Sequence, residues 1–164
     1  MKVITKISFK EAGEGGVDIS YTNFDGQGLK DKTKKESPHQ PHIAFEFAMK
    51  KLAWHMIFLC EFNSEEKFQK FETTEKENET SFRVCGVSIS GEGEKEGVVI
   101  TGYKTLSNGL GFVFNTPNTK FSSSEYKFMK NLISDIELLK QEAGEYLNGK
   151  YRVVQGDLFK KGEE

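Results

Sequence analysis

The stretch VVITGYKTLSNGLGFVFN, residues Val98 to Asn115, carries the strongest local structural signal in the chain. Two runs rich in β-branched and aromatic residues flank Ser107-Asn108-Gly109. Asn-Gly favours the positive φ angles of a type I′ turn, so the stretch predicts a β-hairpin. An earlier run, Ser81 to Ser90, has a similar composition and predicts a strand before this hairpin.

A second hairpin is predicted near the N-terminus, where apolar and polar residues alternate on both sides of Gly13 to Gly16. The alternating apolar residues are Val3, Ile7 and Phe9 before the turn and Val17, Ile19 and Tyr21 after it. Ile4 interrupts the alternation, which leaves the register of the first strand open.

Two segments have helical patterns. Pro41 is a favourable first helical residue, and apolar side chains recur at helical spacing on nearly every side from Ile43 to Phe62. Ser122 to Glu125 has the spacing of a capping box and precedes an amphipathic stripe from Tyr126 to Leu147. Asn148-Gly149 fits the C-terminal end of that second helix.

These elements predict an α+β fold, with an antiparallel sheet of five or six strands and two main helices in the order ββαβββα. Tyr151 to Val154 is the candidate for one further short strand. The chain has 164 residues, which suits a single domain over 1–150 followed by a tail over 151–164. Because the sequence contains 14 phenylalanines, we expect an aromatic-rich core.

Composition narrows the class of protein. The formal net charge of -2 argues against a surface that neutralises phosphates over a broad area. Cys60 and Cys85 lie in apolar stretches without metal-type spacing, which indicates buried thiols in a reducing compartment, a single disulfide being the alternative. The N-terminus lacks the apolar run of a signal peptide, and charged residues interrupt 43–62. We therefore expect a soluble cytoplasmic protein.

Two polar segments are expected to lie on the surface. Asn23 to Gln40 contains glycines and a mixed charge run, which predicts a long exposed connection. Its lysines are candidate nucleic-acid contacts: Lys30, Lys32, Lys34 and Lys35. Asn63 to Thr80 is acidic on balance and is predicted to be a surface excursion.

No local motif prepares a catalytic group. The Gly-x-Ser-x-Gly elbow is absent, and the acids of Gly91 to Gly97 are expected to be ordinary surface carboxylates between two strands. His39 and His42, with His55 and Cys60 further along, suggest a zinc or nickel site, but a solvated loop before a helix is the favoured interpretation. We therefore expect a non-enzymatic protein that needs no cofactor and no metal.

The octapeptide Asn108 to Asn115 partly resembles the RNP1 motif of RNA-recognition motifs, whose strand aromatics stack on bases. The resemblance would make Phe112 a candidate stacking residue. Asn108 replaces the leading basic residue of the motif, Leu110 replaces one stacking aromatic, and Asn115 replaces the last aromatic. A hairpin turn that leads into a strand explains the same residues with fewer assumptions.

The tail peptide Gln155-Gly156-Asp157-Leu158-Phe159 resembles the bacterial sliding-clamp-binding motif. The resemblance implies that Leu158 and Phe159 fill an apolar pocket of the clamp, that Gln155 makes a polar contact beside it, and that Asp157 occupies a position where Ser or Asp is common. Gly156 departs from the frequent leucine of the motif. The alternative is that residues 151–159 fold back as a last strand.

The resemblance implies a non-enzymatic accessory protein of bacterial or phage DNA replication or recombination, whose tail docks on the sliding clamp and whose domain contacts DNA or another partner. A phage or mobile-element origin fits the small size. The alternative is a protein-interaction or inhibitor module without a nucleic-acid role, which forms a homodimer through the helix at 43–62. An enzyme would need site residues assembled from separate loops.

Overall fold

The computed structural model describes residues 1–10, 15–62 and 81–153. Its strands are β1 (Lys2–Phe9), β2 (Val17–Phe24), β3 (Lys30–Ser37), β4 (Phe82–Ser90), β5 (Gly97–Thr105), β6 (Gly111–Asn115) and β7 (Thr119–Lys120). Its α-helices are α1 (Ile43–Lys50), α2 (Ala53–Leu59) and α3 (Met129–Leu147). The predicted α+β class with an antiparallel sheet is confirmed.

The sheet has seven strands in the order β3-β2-β1-β4-β5-β6, and β7 pairs with β5 beside β6. One face of the sheet is covered by the helices: α3 packs on β1, α1 on β4, and α2 on β4 and β5. The main core lies between this face and the helices. We call it the helix face and the opposite side the open face.

A row of aliphatic side chains crosses the helix face. Ile7 of β1 lies opposite Ile19 of β2 and Val87 of β4, and Val87 lies opposite Ile100 of β5. All four side chains are buried. The register of β1 shifts between Ile4 and Lys6, where a β-bulge absorbs one residue. The bulge explains why Ile4 breaks the alternation in the sequence and is nevertheless buried.

Strand β3 corrects the predicted connection over residues 23–40. It pairs with β2 along its whole length, from Lys30 opposite Phe24 to Ser37 opposite Val17. Its sequence, KDKTKKES, is polar on both faces because it is an edge strand that lies beyond the helices. It therefore lacks the apolar alternation by which strands are recognised.

The helix predicted over residues 43–62 is divided into α1 and α2, with a break at Lys51 and Leu52. The expectation of an aromatic-rich core was wrong. In the described part of the chain only Phe45, Phe58 and Tyr146 are buried aromatics, among many more Ile, Val, Leu and Met side chains.

The hairpin between β5 and β6 is confirmed, but its turn is not type I′. Gly109 has a φ of 85°, whereas Asn108 does not have a positive φ. The Gly109 N–H donates to the Leu106 carbonyl, and the Leu106 N–H donates to the Leu110 carbonyl. This pattern is that of a three-residue loop with a glycine in the left-handed position. The Asn108 side chain instead accepts from the Leu110 N–H at 3.0 Å.

The ends of α3 differ in how well the sequence predicts them. The helix begins at Met129 and not at Tyr126, because Ser122 donates to the Glu94 carbonyl and takes no part in a capping box. At the other end Gly149 has a φ of 100°, and Gly149 and Lys150 donate to the carbonyls of Tyr146 and Glu145. These are the two hydrogen bonds of a Schellman motif, so the predicted C-cap is confirmed.

After α3, Tyr151 makes a single antiparallel bridge with Pro41. Within the described residues, this bridge is the only β-pairing in the predicted strand Tyr151 to Val154. None of the helices in the described ranges is long and apolar enough to cross a membrane.

Candidate functional site

The open face of the sheet is polar. Cross-strand partners share a face of a sheet, and Lys34 lies opposite Ser20, which lies opposite Lys6. By the same register Lys32 pairs with Thr22, and Lys30 pairs with Phe24. The lysines of β3 at even positions therefore lie on the open face, where the described residues place no helix.

Side chains from two margins of the open face meet across it. Three strand spacings, about 14 Å, separate β3 from β4, and the Lys30 and Glu92 side chains bridge this gap, with the Lys30 ammonium 2.9 Å from Oε1 of Glu92 in the connection after β4. The strands between them contain two register shifts, the bulge after Ile4 and a second between Val84 and Gly86.

A cavity of about 890 Å³ lies on the open face, and we call it the open-face groove. Hydroxyl-bearing side chains from the central strands line it, and the lysines of β3 form one side. These residues are Thr5, Ser20, Thr22, Lys30, Lys32 and Lys34. The opposite side is formed by the connection between β4 and β5, from Ser90 to Glu96. The groove can therefore offer hydroxyl and ammonium donors to an anionic ligand.

Two of the three groove lysines are already paired. Lys34 lies 2.8 Å from Glu36, and this ion pair raises the pKa of Lys34 and lowers that of Glu36. The Lys30 ammonium lowers the pKa of the Glu92 carboxyl in the same way. These pairs are exposed, so solvent screens them and they contribute little to stability. Lys32 makes no ion pair within the described part of the chain.

The other two predicted nucleic-acid contacts lie elsewhere. Lys35 is opposite Ile19, which is fully buried, so its position belongs to the helix face. Phe112 lies on β6, opposite Lys104 of β5, and its ring centroid is 5.9 Å from that of Phe114. The structure therefore brings Lys30, Lys32 and Lys34 together and leaves Lys35 and Phe112 apart from them.

The clamp-like residues Gln155, Asp157, Leu158 and Phe159 lie outside the described residues. The chain is held firmly just before them. The Tyr151 ring stacks on His39 at 4.1 Å, the Arg152 N–H donates to the Gln40 carbonyl, and the Arg152 guanidinium pairs with Glu46 of α1. Val153, the last described residue, is 65% exposed.

The helical segment at 43–62 leaves a small apolar surface uncovered. Ile43 and Phe47 lie one turn apart on α1 and are 67% and 59% exposed. Three other apolar residues of α1, Phe45, Ala48 and Met49, are buried in the core. Only a narrow stripe of the helix is therefore left for a partner.

A buried polar cluster surrounds His55, and no sequence pattern predicts it. This side chain is fully buried, with Nε2 2.9 Å from Oδ2 of Asp135 and Nδ1 2.7 Å from the hydroxyl of Tyr126. Since a carboxylate only accepts, Nε2 donates to Asp135 and Nδ1 accepts from Tyr126. Asp135 lies on the buried side of α3, one turn from Leu132 and from Leu139, and no sequence spacing relates it to a histidine 80 residues earlier.

The cluster joins α2, α3 and the segment before α3. Burial lowers the pKa of His55 below its ordinary value of 6.5, and the Asp135 carboxylate opposes that shift in part. With His55 fully buried, the cluster has the geometry of an internal structural contact.

The histidines considered for a metal site are used differently. Nδ1 of His42 accepts from the Ala44 N–H and caps α1, and the His39 carbonyl accepts from the Tyr146 hydroxyl. Within residues 1–10, 15–62 and 81–153, no group of three or more His, Cys, Asp or Glu side chains is arranged to hold a metal ion.

The His55 cluster should make stability depend on pH. Unfolded His55 takes a proton near its ordinary pKa of 6.5, whereas the folded state binds it only at lower pH. Stability should therefore fall as pH decreases below about 6.5. Urea unfolding between about pH 5 and pH 7 measures this slope.

His55→Gln should flatten that slope and cost about 1–3 kcal/mol at neutral pH, because buried partners lose a hydrogen bond. Tyr126→Phe is the control, since it keeps the titrating imidazole and should keep the slope. An unchanged slope in His55→Gln would contradict the assignment.

Comparison with known proteins gives no match for this chain among protein-family models, curated proteins or solved structures.

Proposed function

We propose that this protein is a non-enzymatic accessory factor of bacterial or phage DNA replication or recombination, which docks on the sliding clamp through Gln155, Leu158 and Phe159. The observation that carries the proposal is the sequence Gln155-Gly156-Asp157-Leu158-Phe159, two residues after the last described position. An aliphatic-aromatic pair in a terminal peptide is a suitable anchor for a small apolar pocket on a partner.

The fold supports this proposal in two ways. The described core is assembled from residues between Ile4 and Tyr146, with Tyr151 packed against it. The contacts of Tyr151 and Arg152 hold the base of the tail at α1, so a peptide that follows Val153 starts from a fixed point at the surface. Such an arrangement suits a domain that presents a docking peptide.

Clamp docking predicts that the full chain binds a bacterial sliding clamp in a calorimetric titration. Leu158→Ala with Phe159→Ala should reduce the affinity at least about thirtyfold, since the removal of two apolar anchors costs about 2 kcal/mol or more. Lys160→Ala with Lys161→Ala is the matched control and should change affinity only slightly. Equal binding by the Leu158/Phe159 double variant and the unmodified chain would rule out this motif.

The open-face groove is the surface that we propose for DNA. Its hydroxyls and lysine ammoniums are donors suited to phosphate oxygens. Because Lys30 and Lys34 are paired with carboxylates, Lys32 is the cation most available for a phosphate. The expected interaction is weak and dependent on salt.

DNA binding through the groove predicts that Lys32→Ala weakens binding of single-stranded or duplex DNA at low salt and reduces the slope of log affinity against log salt by about one. Lys35→Ala removes the same charge from the helix face and is the matched control. Fluorescence anisotropy measures both. Equal losses in the two variants would show that net charge, and not the groove, determines binding.

A homodimeric interaction module without a nucleic-acid role is the second candidate. The exposed pair Ile43 and Phe47 on α1 favours it, because two large apolar side chains lie one turn apart in solvent. Phe47→Asp should convert such a dimer to monomer in light scattering, with Lys130→Asp at an exposed position of α3 as the control. A monomeric unmodified chain would exclude this candidate.

A further inference from the structure

A cleft of about 310 Å³ lies between α1 and the beginning of β4. Its walls are mainly apolar side chains from α1, α2, β1 and β4. They are Phe9, Met49, Ala53, Phe82 and Val84. Three charged residues complete the lining, Glu46 and Lys50 of α1 and Arg83 of β4. A volume of this size is near the lower limit of ordinary ligand pockets and suits one or two apolar side chains.

The cleft also adjoins an incomplete part of the sheet. Strand β5 pairs with β4 from Phe82 to Ser90, whereas β1 pairs with β4 only from Gly86 to Ser88. Within the described residues, the first part of β4 therefore has a strand neighbour on one side only. An extended peptide could supply hydrogen bonds to this edge while its side chains enter the cleft.

A side chain at the base of the tail reaches this cleft. The Arg152 guanidinium pairs with Glu46, which lines the cleft, while the Arg152 N–H donates to the Gln40 carbonyl ahead of α1. The six residues from 154 to 159 span up to about 20 Å when extended. The distance from Glu46 to Ala53 along the helices is about 10 Å. Leu158 and Phe159 can therefore reach the apolar walls without any change in the domain.

Chemical complementarity favours the same occupant. Leu158 and Phe159 are the largest apolar side chains after Val153, and the cleft walls are apolar. Asp157 precedes them, and Lys50, an exposed cation of α1, stands at the edge of the cleft. An ion pair between these two residues would position the peptide with its apolar pair toward the walls.

We propose that Leu158 and Phe159 dock in the α1–β4 cleft of their own chain. Three observations support this docking: the apolar cleft, the position of Arg152 and the length of the tail. Its consequence rests on the proposed function: the residues that would anchor the chain on a clamp are the same ones that occupy the cleft, so the two contacts exclude each other. The protein would thus hold back its docking peptide until a clamp competes for it.

Methyl NMR of the full chain tests the docking without a clamp. The Ala53, Met49 and Val84 methyl signals should move in Leu158→Ala with Phe159→Ala, because the Phe159 ring no longer lies against them. The Val98 and Ala143 methyls, elsewhere in the core, should not move. Lys160→Ala with Lys161→Ala should leave all of these signals unchanged. Cleft signals identical in the double variant and the unmodified chain would overturn the proposal.

Dilution distinguishes the possible sources of the peptide. The cleft signals should be independent of protein concentration if the tail belongs to the same chain. Signals that move on dilution would assign the peptide to a second copy and overturn docking within one chain.

Competition is tested separately by filling the cleft with Ala53→Trp, or by reversing the charge at its edge with Lys50→Glu. Either variant should bind a clamp about tenfold more tightly than the unmodified chain if about nine tenths of the chains are closed. Unchanged clamp affinity in both variants would overturn the competition. If no form of the chain binds a clamp, the proposed function fails, and the NMR comparison alone still decides whether the tail docks.

Discussion

The row formed by Ile19, Ile7, Val87 and Ile100 is the contact on which the rest of the structure depends. It runs across four adjacent strands and gives the helices a continuous apolar surface to pack on. A slip of one residue in any of these strands would turn its apolar set toward solvent. The register shifts in β1 and β4 each absorb one extra residue, so the apolar set of each strand stays on the helix face and the row is preserved.

The same constraint accounts for the chemistry of the two surfaces. Because alternate residues must supply the core, the intervening residues of β1 and β2 are left for the open face, and they are mostly Ser, Thr, Lys and Asp. The groove is therefore polar as a consequence of the packing. The cleft beside α1 is apolar because it lies on the helix face. It lies where the first residues of β4 extend past the pairing with β1.

Parts of the fold were predictable because they carry local signals. Alternation identified β1 and β2, Asn108-Gly109 located a hairpin, and Gly149 ended α3. Strand β3 is not predictable in this way, because its residues are polar on both faces. What makes it a strand is its pairing with β2, which depends on the tertiary fold. The charge run alone predicts the lysines of the groove. Only the strand register shows that Lys32 lies on the open face and Lys35 on the helix face. The contact of His55 with Asp135 joins residues 80 positions apart, and no local sequence pattern predicts such a contact.

The two edges of the sheet have different consequences for self-association. Lysines occupy alternate positions on one face of β3, with Lys35 on the other, and cations on an edge strand oppose the addition of another strand. At the opposite edge, β6 pairs only with β5 among the described strands and carries the exposed side chains of Phe112 and Val113. Strand addition is thus open at one edge and blocked at the other. An assembly formed by edge pairing would close after two copies and could not grow into a fibre.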